Sequence, residues 1–284
     1  MSNHPSFPRV WLVTGSSRGI GAEIVAAALA NGDAVIATAR DAQAVTQRFG
    51  SSASLLALNL DVRDEAAAKR VVQEGVTHFG RIDIVVNNAG YGMLGAIEEA
   101  SAKEVSDIFA TNVFGLLNVT RAVLPKLRAK RSGHVINISS VGGYQSGPGF
   151  GIYCSTKFAV EGISEALHGE LLPLNIKVTL VEPGHFRTDF LDTSSIIPSQ
   201  SLIEDYAGTA GLAREMGVNH NHKQSGDPKK LAQALLQLVT ADKPPLRIQF
   251  GHDALRIVQA KNAFVEKEQQ QWQAMATATD YPWP

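Results

Sequence analysis

The chain has 284 residues, 44% of them apolar and 19% charged, with a formal net charge of −1. That length suits one large α/β domain or two small ones, and the charge balance leaves no basic surplus for a nucleic-acid backbone. The one cysteine, Cys154, excludes an intramolecular disulfide.

Residues 1–9 are polar and lack the cationic start and apolar stretch of a signal peptide. No run of about 18 apolar residues follows, so no membrane span is expected and a cytoplasmic protein is the default. Apolar, β-rich runs occur at residues 10–14, 34–39, 55–60, 82–86, 135–139, 177–181 and 247–250. Most are nearly continuous rather than alternating, as in strands covered on both faces.

Helical patterns separate these runs. Ile20, Ile24, Val25 and Ala28 form one stripe that stops at Asn31 and Gly32. Asp64 opens a second helix that ends near Gly80, and Asp227 with Pro228 opens another. Pro125 falls inside a helical pattern and is expected to kink or shorten it. The repeated β-α order predicts an α/β fold: a single doubly wound Rossmann domain, its mostly parallel sheet of about seven strands carrying helices on both faces. No composition break divides the chain, so residues 1–284 read as one domain. Residues 189–226 read as a polar, irregular, mobile lid or loop region. Residues 251–284 read as a C-terminal helical extension, helical through Trp272 and then frayed.

The first strand runs into Thr14, Gly15, Ser16, Ser17, Arg18, Gly19, Ile20 and Gly21, where a helix begins. Glycines there let backbone approach a pyrophosphate, and the helix N-terminus supplies N–H donors. This loop resembles the cofactor loop of the short-chain dehydrogenase/reductase family, and further motifs extend the resemblance over roughly residues 9 to 251. The second strand ends at Arg40, where an acidic residue would repel a 2′-phosphate. Arg18 and Arg40 together suit that phosphate, which favours NADP(H) over NAD(H).

The resemblance implies further roles. Asp61 lies near the adenine amino group and Val62 against its ring. Asn88 stabilises the sheet, and the backbone of Ala89 and Gly90 faces the nicotinamide ribose. Tyr153 and Lys157 match the family's Y-x3-K, and positions i and i+4 share a helix face. Ser140 stands 13 residues before Tyr153, the family's interval, and is preferred to Ser139. Asn112 matches the fourth catalytic position and is expected to hold a water linking Lys157 to solvent. Pro183, Gly184 and Thr188 match P-G-x3-T, with Thr188 on the nicotinamide carboxamide and transfer from the B face.

The chemistry requires these residue types. Hydride transfer builds charge on a carbonyl oxygen, which must take a proton. A phenol does this well near neutral pH only if its pKa falls, and the Lys157 cation is expected to lower it. Lys157 would also hold the ribose, and Ser140 would polarise the oxygen. Gly142, Tyr144, Phe150, His185, Phe186 and Phe190 are expected to line a moderately apolar substrate pocket, with residues 91–94 on one wall. A hydrophobic ketone, aldehyde or alcohol suits it.

The reading is therefore an NADP(H)-dependent oxidoreductase interconverting a carbonyl and an alcohol. The alternatives are a non-catalytic NADP(H) sensor, against which Tyr153 speaks, and an epimerase or dehydratase relative, whose glycine spacing differs. An enoyl reductase spaces its Tyr and Lys more widely. Cys154 reads as a packed thiol. His220 and His222 lack further ligands, so no metal is expected. The family implies a homodimer or homotetramer through the helices carrying Asn112 and Tyr153. The tail resembles that of hydroxysteroid-dehydrogenase-like bacterial members, from which no steroid activity follows.

Overall fold

The computed structural model describes residues 6–281; the last residues of the expected frayed end, 282–284, lie outside them. Nine strands are described: β1 (Val10–Thr14), β2 (Ala34–Ala39), β3 (Leu55–Asn59), β4 (Ile84–Asn87), β5 (Gly92–Leu94), β6 (Gly133–Ile138), β7 (Ile176–Pro183), β8 (Ile196–Pro198) and β9 (Arg247–Phe250). Seven form one sheet in the order β3-β2-β1-β4-β6-β7-β9, and every pairing in it is parallel. The order reverses beside β1, where a crevice opens at the strands' carboxyl ends.

The helices are α1 (Gly19–Ala30), α2 (Ala42–Phe49), α3 (Glu65–Phe79), α4 (Ala102–Phe109), α5 (Leu116–Lys130), α6 (Gly151–Leu171), α7 (Leu212–His220), α8 (Pro228–Thr240) and α9 (His252–Thr277). Side chains alternate across the sheet and make two cores. Val10 and Leu12 of β1 join Val71 and Val72 of α3, Val123 of α5 and Leu167 of α6. Trp11 and Val13 join Ile24 of α1, Val45 of α2 and Leu235 of α8. The indole of the fully buried Trp11 donates to Asp33 at 2.9 Å, which meets the need of a buried donor.

Helix starts follow the expected caps. The Asp64 carboxylate accepts from the Ala67 N–H at 2.9 Å, and Asp227 from Lys229 at 2.9 Å. Gly80 ends α3 with φ of +82°, the left-handed region that glycine enters freely.

Two expectations need correction. Pro125 does not shorten its helix: α5 runs through it to Lys130. Pro125 is on the exposed side, so the carbonyl it leaves unpaired faces water. Residues 189–226 are not irregular. They contain β8, which pairs in parallel with β5, and α7. The Arg214 guanidinium of α7 pairs with the buried Glu99, which also accepts from the Ala96 and Ile203 N–H groups at 2.7 and 2.9 Å.

A π-helical turn, Ala110–Gly115, joins α4 to α5. The resulting helix, Ala102–Lys130, is long and apolar enough by length and composition to cross a membrane. Its Ile108, Val119, Val123 and Leu127 are buried in this fold, so that apolarity serves the core.

Candidate active site

The carboxyl ends of the central strands open into a cleft of about 1000 Å³. On its cofactor-loop side, Gly15 turns with φ of +67°, and a Cβ there would meet the Ala89 backbone at 3.0 Å. Gly15, Ser17, Arg18, Gly19 and Ile20 line the cleft. Gly21 does not: a Cβ on it would fall 2.4 Å from both the Asn88 amide and the Gly15 carbonyl. Its expected cofactor contact is replaced by close packing that shapes the loop. Asn88 Nδ2 donates to the Thr14 and Gly15 carbonyls at 2.9 and 3.1 Å, and Thr14 Oγ1 accepts from the Asn88 and Ala89 N–H groups at 3.0 Å.

Helix α1 has no acid in its first turn and begins without a side-chain cap, whereas Asp41, Asp64 and Asp227 cap α2, α3 and α8. Its first N–H groups therefore remain available to an anion. Arg40, Asp61, Val62, Asn88, Ala89, Gly90, Pro183, Gly184 and Thr188 also line the cleft. Arg63 grips both Asp61 oxygens, through Nε at 3.0 Å and Nη2 at 2.5 Å, and holds the carboxyl below its usual range. These groups fit a dinucleotide, whose pyrophosphate suits the uncapped helix N-terminus.

Ser140, Tyr153 and Lys157 share the cleft floor. Tyr153 and Lys157 lie on α6, and Ser140 follows β6. The Lys157 ammonium donates to the Ile138 carbonyl at 2.9 Å and lies 5.9 Å from the Tyr153 ring centre. Burial pushes the Tyr153 phenol well above its ordinary value, and the Ser140 hydrogen bond opposes this. The expected lowering by Lys157 does not decide the balance. Burial also brings the Lys157 ammonium down to about 8, opposed by the charge of Glu161.

Asn112 is buried beside the cleft rather than lining it. Its Oδ1 accepts from the Tyr91 N–H at 3.0 Å, and its Nδ2 donates to the Tyr91 carbonyl at 2.9 Å and to Thr156 Oγ1 at 3.1 Å. Its amide thereby clamps the segment after β4 onto α6.

Of the expected substrate residues, Gly142, Phe150, His185, Phe186 and Phe190 line the cleft. Tyr144 does not. Its hydroxyl donates to Asn262 of α9 in a separate shallow depression, because the turn after Ser140 points it outward. On the other wall only Tyr91 of residues 91–94 reaches the cleft. Leu191, Ile197, Met216 and Gln224 from the lid, and Asp253 and Ile257 from α9, were not legible from local pattern. His185 Nδ1 lies 2.8 Å from Asp253 Oδ2, tying the loop after β7 to α9.

Cys154 lines the cleft too, although burial holds its thiol above the ordinary range and so disfavours a nucleophile. His222 comes close to Asp189 and Asp192, three potential ligands that sequence spacing did not bring together, and its Nε2 pairs with Asp192 at 3.2 Å.

The short chain dehydrogenase family profile matches residues 9–196. Oxidoreductase BOA17 of Botryotinia fuckeliana is 36% identical over 274 residues, spanning 95% of this chain and 99% of that protein. The 3-ketodihydrosphingosine reductase of Bacteroides thetaiotaomicron is 39% identical over 246 residues, 86% of this chain and 88% of its own. The crystal structure of a short-chain dehydrogenase from Streptomyces avermitilis is similar with a TM-score of 0.88 at 39% identity, over 96% of this chain and 100% of that one. The parallel sheet, the cleft at its switch point and these matches agree: the chain belongs to the short-chain dehydrogenase family and is an oxidoreductase enzyme.

Proposed function

We propose that this enzyme interconverts a hydrophobic carbonyl compound and its alcohol with NADP(H), using Tyr153 as general acid and base. The observation that carries the reading is the meeting of Ser140, Tyr153 and Lys157 in the one cleft that also receives the uncapped start of α1. A nicotinamide dinucleotide bound there would supply the hydride in reduction and accept it in oxidation.

The chain's own residues supply the rest. Tyr153, kept protonated by its burial, gives its phenolic proton to the developing alkoxide oxygen in reduction and takes it back in oxidation. Ser140 orients that oxygen with a hydrogen bond. Lys157 holds ribose hydroxyls and places a cation near the phenol. Arg18 and the exposed Arg40 take the 2′-phosphate.

Phe150, Phe190 and Met216 give the substrate wall an apolar character that suits a hydrophobic ketone, aldehyde or alcohol. The Bacteroides relative, a reductase by name, supports the ketone. Phe114 and Phe158, 56% and 46% exposed on the two helical segments expected at the interface, support a homo-oligomer. Titrating the purified protein with NADPH and NADH, then following nicotinamide absorbance against a panel of carbonyls and alcohols, tests the reading. Tighter NADPH binding with turnover of apolar carbonyls is expected. Binding of neither cofactor would overturn it.

A further inference from the structure

Two buried carboxylates lie behind the cleft and take no part in the chemistry described so far. Glu161 of α6 is 6% exposed and Glu182 of β7 is 0% exposed. Glu161 stands one helical turn beyond Lys157, so the two side chains leave the same face of α6. Its Oε2 accepts from Arg247 Nε of β9 at 2.9 Å. Arg247 also pairs with the exposed Glu165, and its Nε lies 3.5 Å from Glu182 Oε1. Glu161 Oε1 faces the Ser139 hydroxyl across Gly143: a Cβ there would meet them at 3.1 and 2.6 Å.

One guanidinium thus serves three carboxylates and cannot neutralise them all. Burying such a charge is costly unless a counter-charge is near. Lys157 is buried on the same helix face, where the charge of Glu161 opposes the downward pull of burial on the ammonium; burial in turn pushes the Glu161 carboxyl up, and its hydrogen bonds with Ser139 and Arg247 oppose that rise. The other charged or titratable groups around the pair are Tyr153 and Glu165 of α6, Glu182, Arg247, and Lys261 and Glu266 of α9. The last two line a depression of about 390 Å³ at which Glu161 and Arg247 reach the surface.

We infer that Glu161 is a positioning residue for Lys157: anchored from behind by Arg247, its carboxylate keeps the ammonium charged at the floor of the cleft. The inference deepens the proposed function, because it gives the proposed ribose-holding cation its own counter-ion outside the substrate and cofactor surfaces. Packing alone would need the shape of Glu161 but not its charge, and Glu161→Gln separates the two.

The test is competitive acetylation of Lys157 in the cofactor-free protein across neutral to alkaline pH, read by mass spectrometry. In Glu161→Gln the labelling midpoint is expected about one pH unit lower, a tenfold loss of proton affinity. The alkaline limb of carbonyl reduction is expected to move down with it. Glu161→Asp, which keeps the charge on a shorter arm, should give a midpoint between the two. Glu182→Gln, which removes an equally buried carboxylate from the same cluster, should leave the midpoint near that of the native protein. An unshifted midpoint in both Glu161 variants, or an equal shift in Glu182→Gln, overturns the inference. Lys157→Met with full turnover would instead overturn the role of Lys157 in the reaction, and the labelling result would still stand as a measure of Glu161.

Discussion

Arg18 and Ser194 meet across the mouth of the cleft, 176 residues apart in the chain: the guanidinium donates to the Ser194 hydroxyl at 2.6 Å and to its carbonyl at 2.7 Å. The cofactor loop is thereby joined to the segment that leads into β8. In the proposed function the same guanidinium meets a 2′-phosphate, so its two roles compete. Charge-assisted hydrogen bonds are the stronger kind, and a lost one costs about 1.5–3 kcal/mol. Arg18→Ala should therefore weaken NADP(H) binding about tenfold or more while changing NAD(H) binding little. Ser194→Ala, which frees one guanidinium donor, should leave NADP(H) binding unchanged or tighter. Fluorescence titration of both cofactors checks this. Equal losses for NADP(H) and NAD(H) in Arg18→Ala would show that Arg18 acts only as a latch.

Arg40 offers a second handle on the same choice. It follows β2, lines the cleft and is close enough to influence the Asp61 carboxyl. Arg40→Asp replaces an anion receptor with an acceptor for ribose hydroxyls. The ratio of kcat/KM for NADPH to that for NADH should fall by about tenfold or more, the effect of removing one charged contact and adding repulsion. An unchanged ratio would remove Arg40 from phosphate recognition.

Tyr153→Phe removes the proton donor and keeps the ring. Its ring packs 5.6 Å from that of Phe190, a contact the phenylalanine retains. General acid catalysis contributes about 10²–10⁴-fold, so turnover should fall in that range while NADPH affinity stays close to native. Retained turnover would assign the proton to another group, and lost cofactor binding would show that the hydroxyl is structural.

The strands and caps were legible because their signals are local. Val10 to Val13 are all apolar, as a doubly covered strand requires, and Asp64 and Asp227 cap through bonds only three residues long or less. The loop from Gly15 to Gly21 and the pair Tyr153 and Lys157 were legible for the same reason. What escaped depends on distant partners. Nothing in Met93 indicates that it will pair with Ile197, and nothing in Arg214 indicates a buried partner at Glu99. Tyr144 is expected in the substrate pocket because its neighbours along the chain belong there. The direction of one side chain is set by the turn after Ser140 and by Asn262, neither of which periodicity records. The resemblance gives Gly21 a cofactor contact along with the rest of its loop, whereas the space beside it is closed by the Gly15 carbonyl within the loop and by Asn88 after the neighbouring β4.

His134 provides a test of the fold independent of the reaction. It is 3% exposed on β6, its Nε2 lies 2.9 Å from Thr179 Oγ1, and its Nδ1 has no partner among the described residues. Burial, aided by the nearby Lys177 charge, brings its pKa down from 6.5 to about 4. Between those values the unfolded chain binds a proton that the folded chain refuses. The unfolded state therefore binds more protons, and stability rises with pH through this window. In the opposite direction, stability is intact above about pH 6.5 and is lost as pH falls towards about 4, by on the order of 3 kcal/mol for a shift of this size. His134→Gln keeps a polar side chain and removes the titration. Its stability, measured by urea unfolding at matched pH, should be lower than native near neutrality but should fall less steeply on acidification. Parallel acid losses in the two proteins would assign the acid sensitivity to the carboxylates instead.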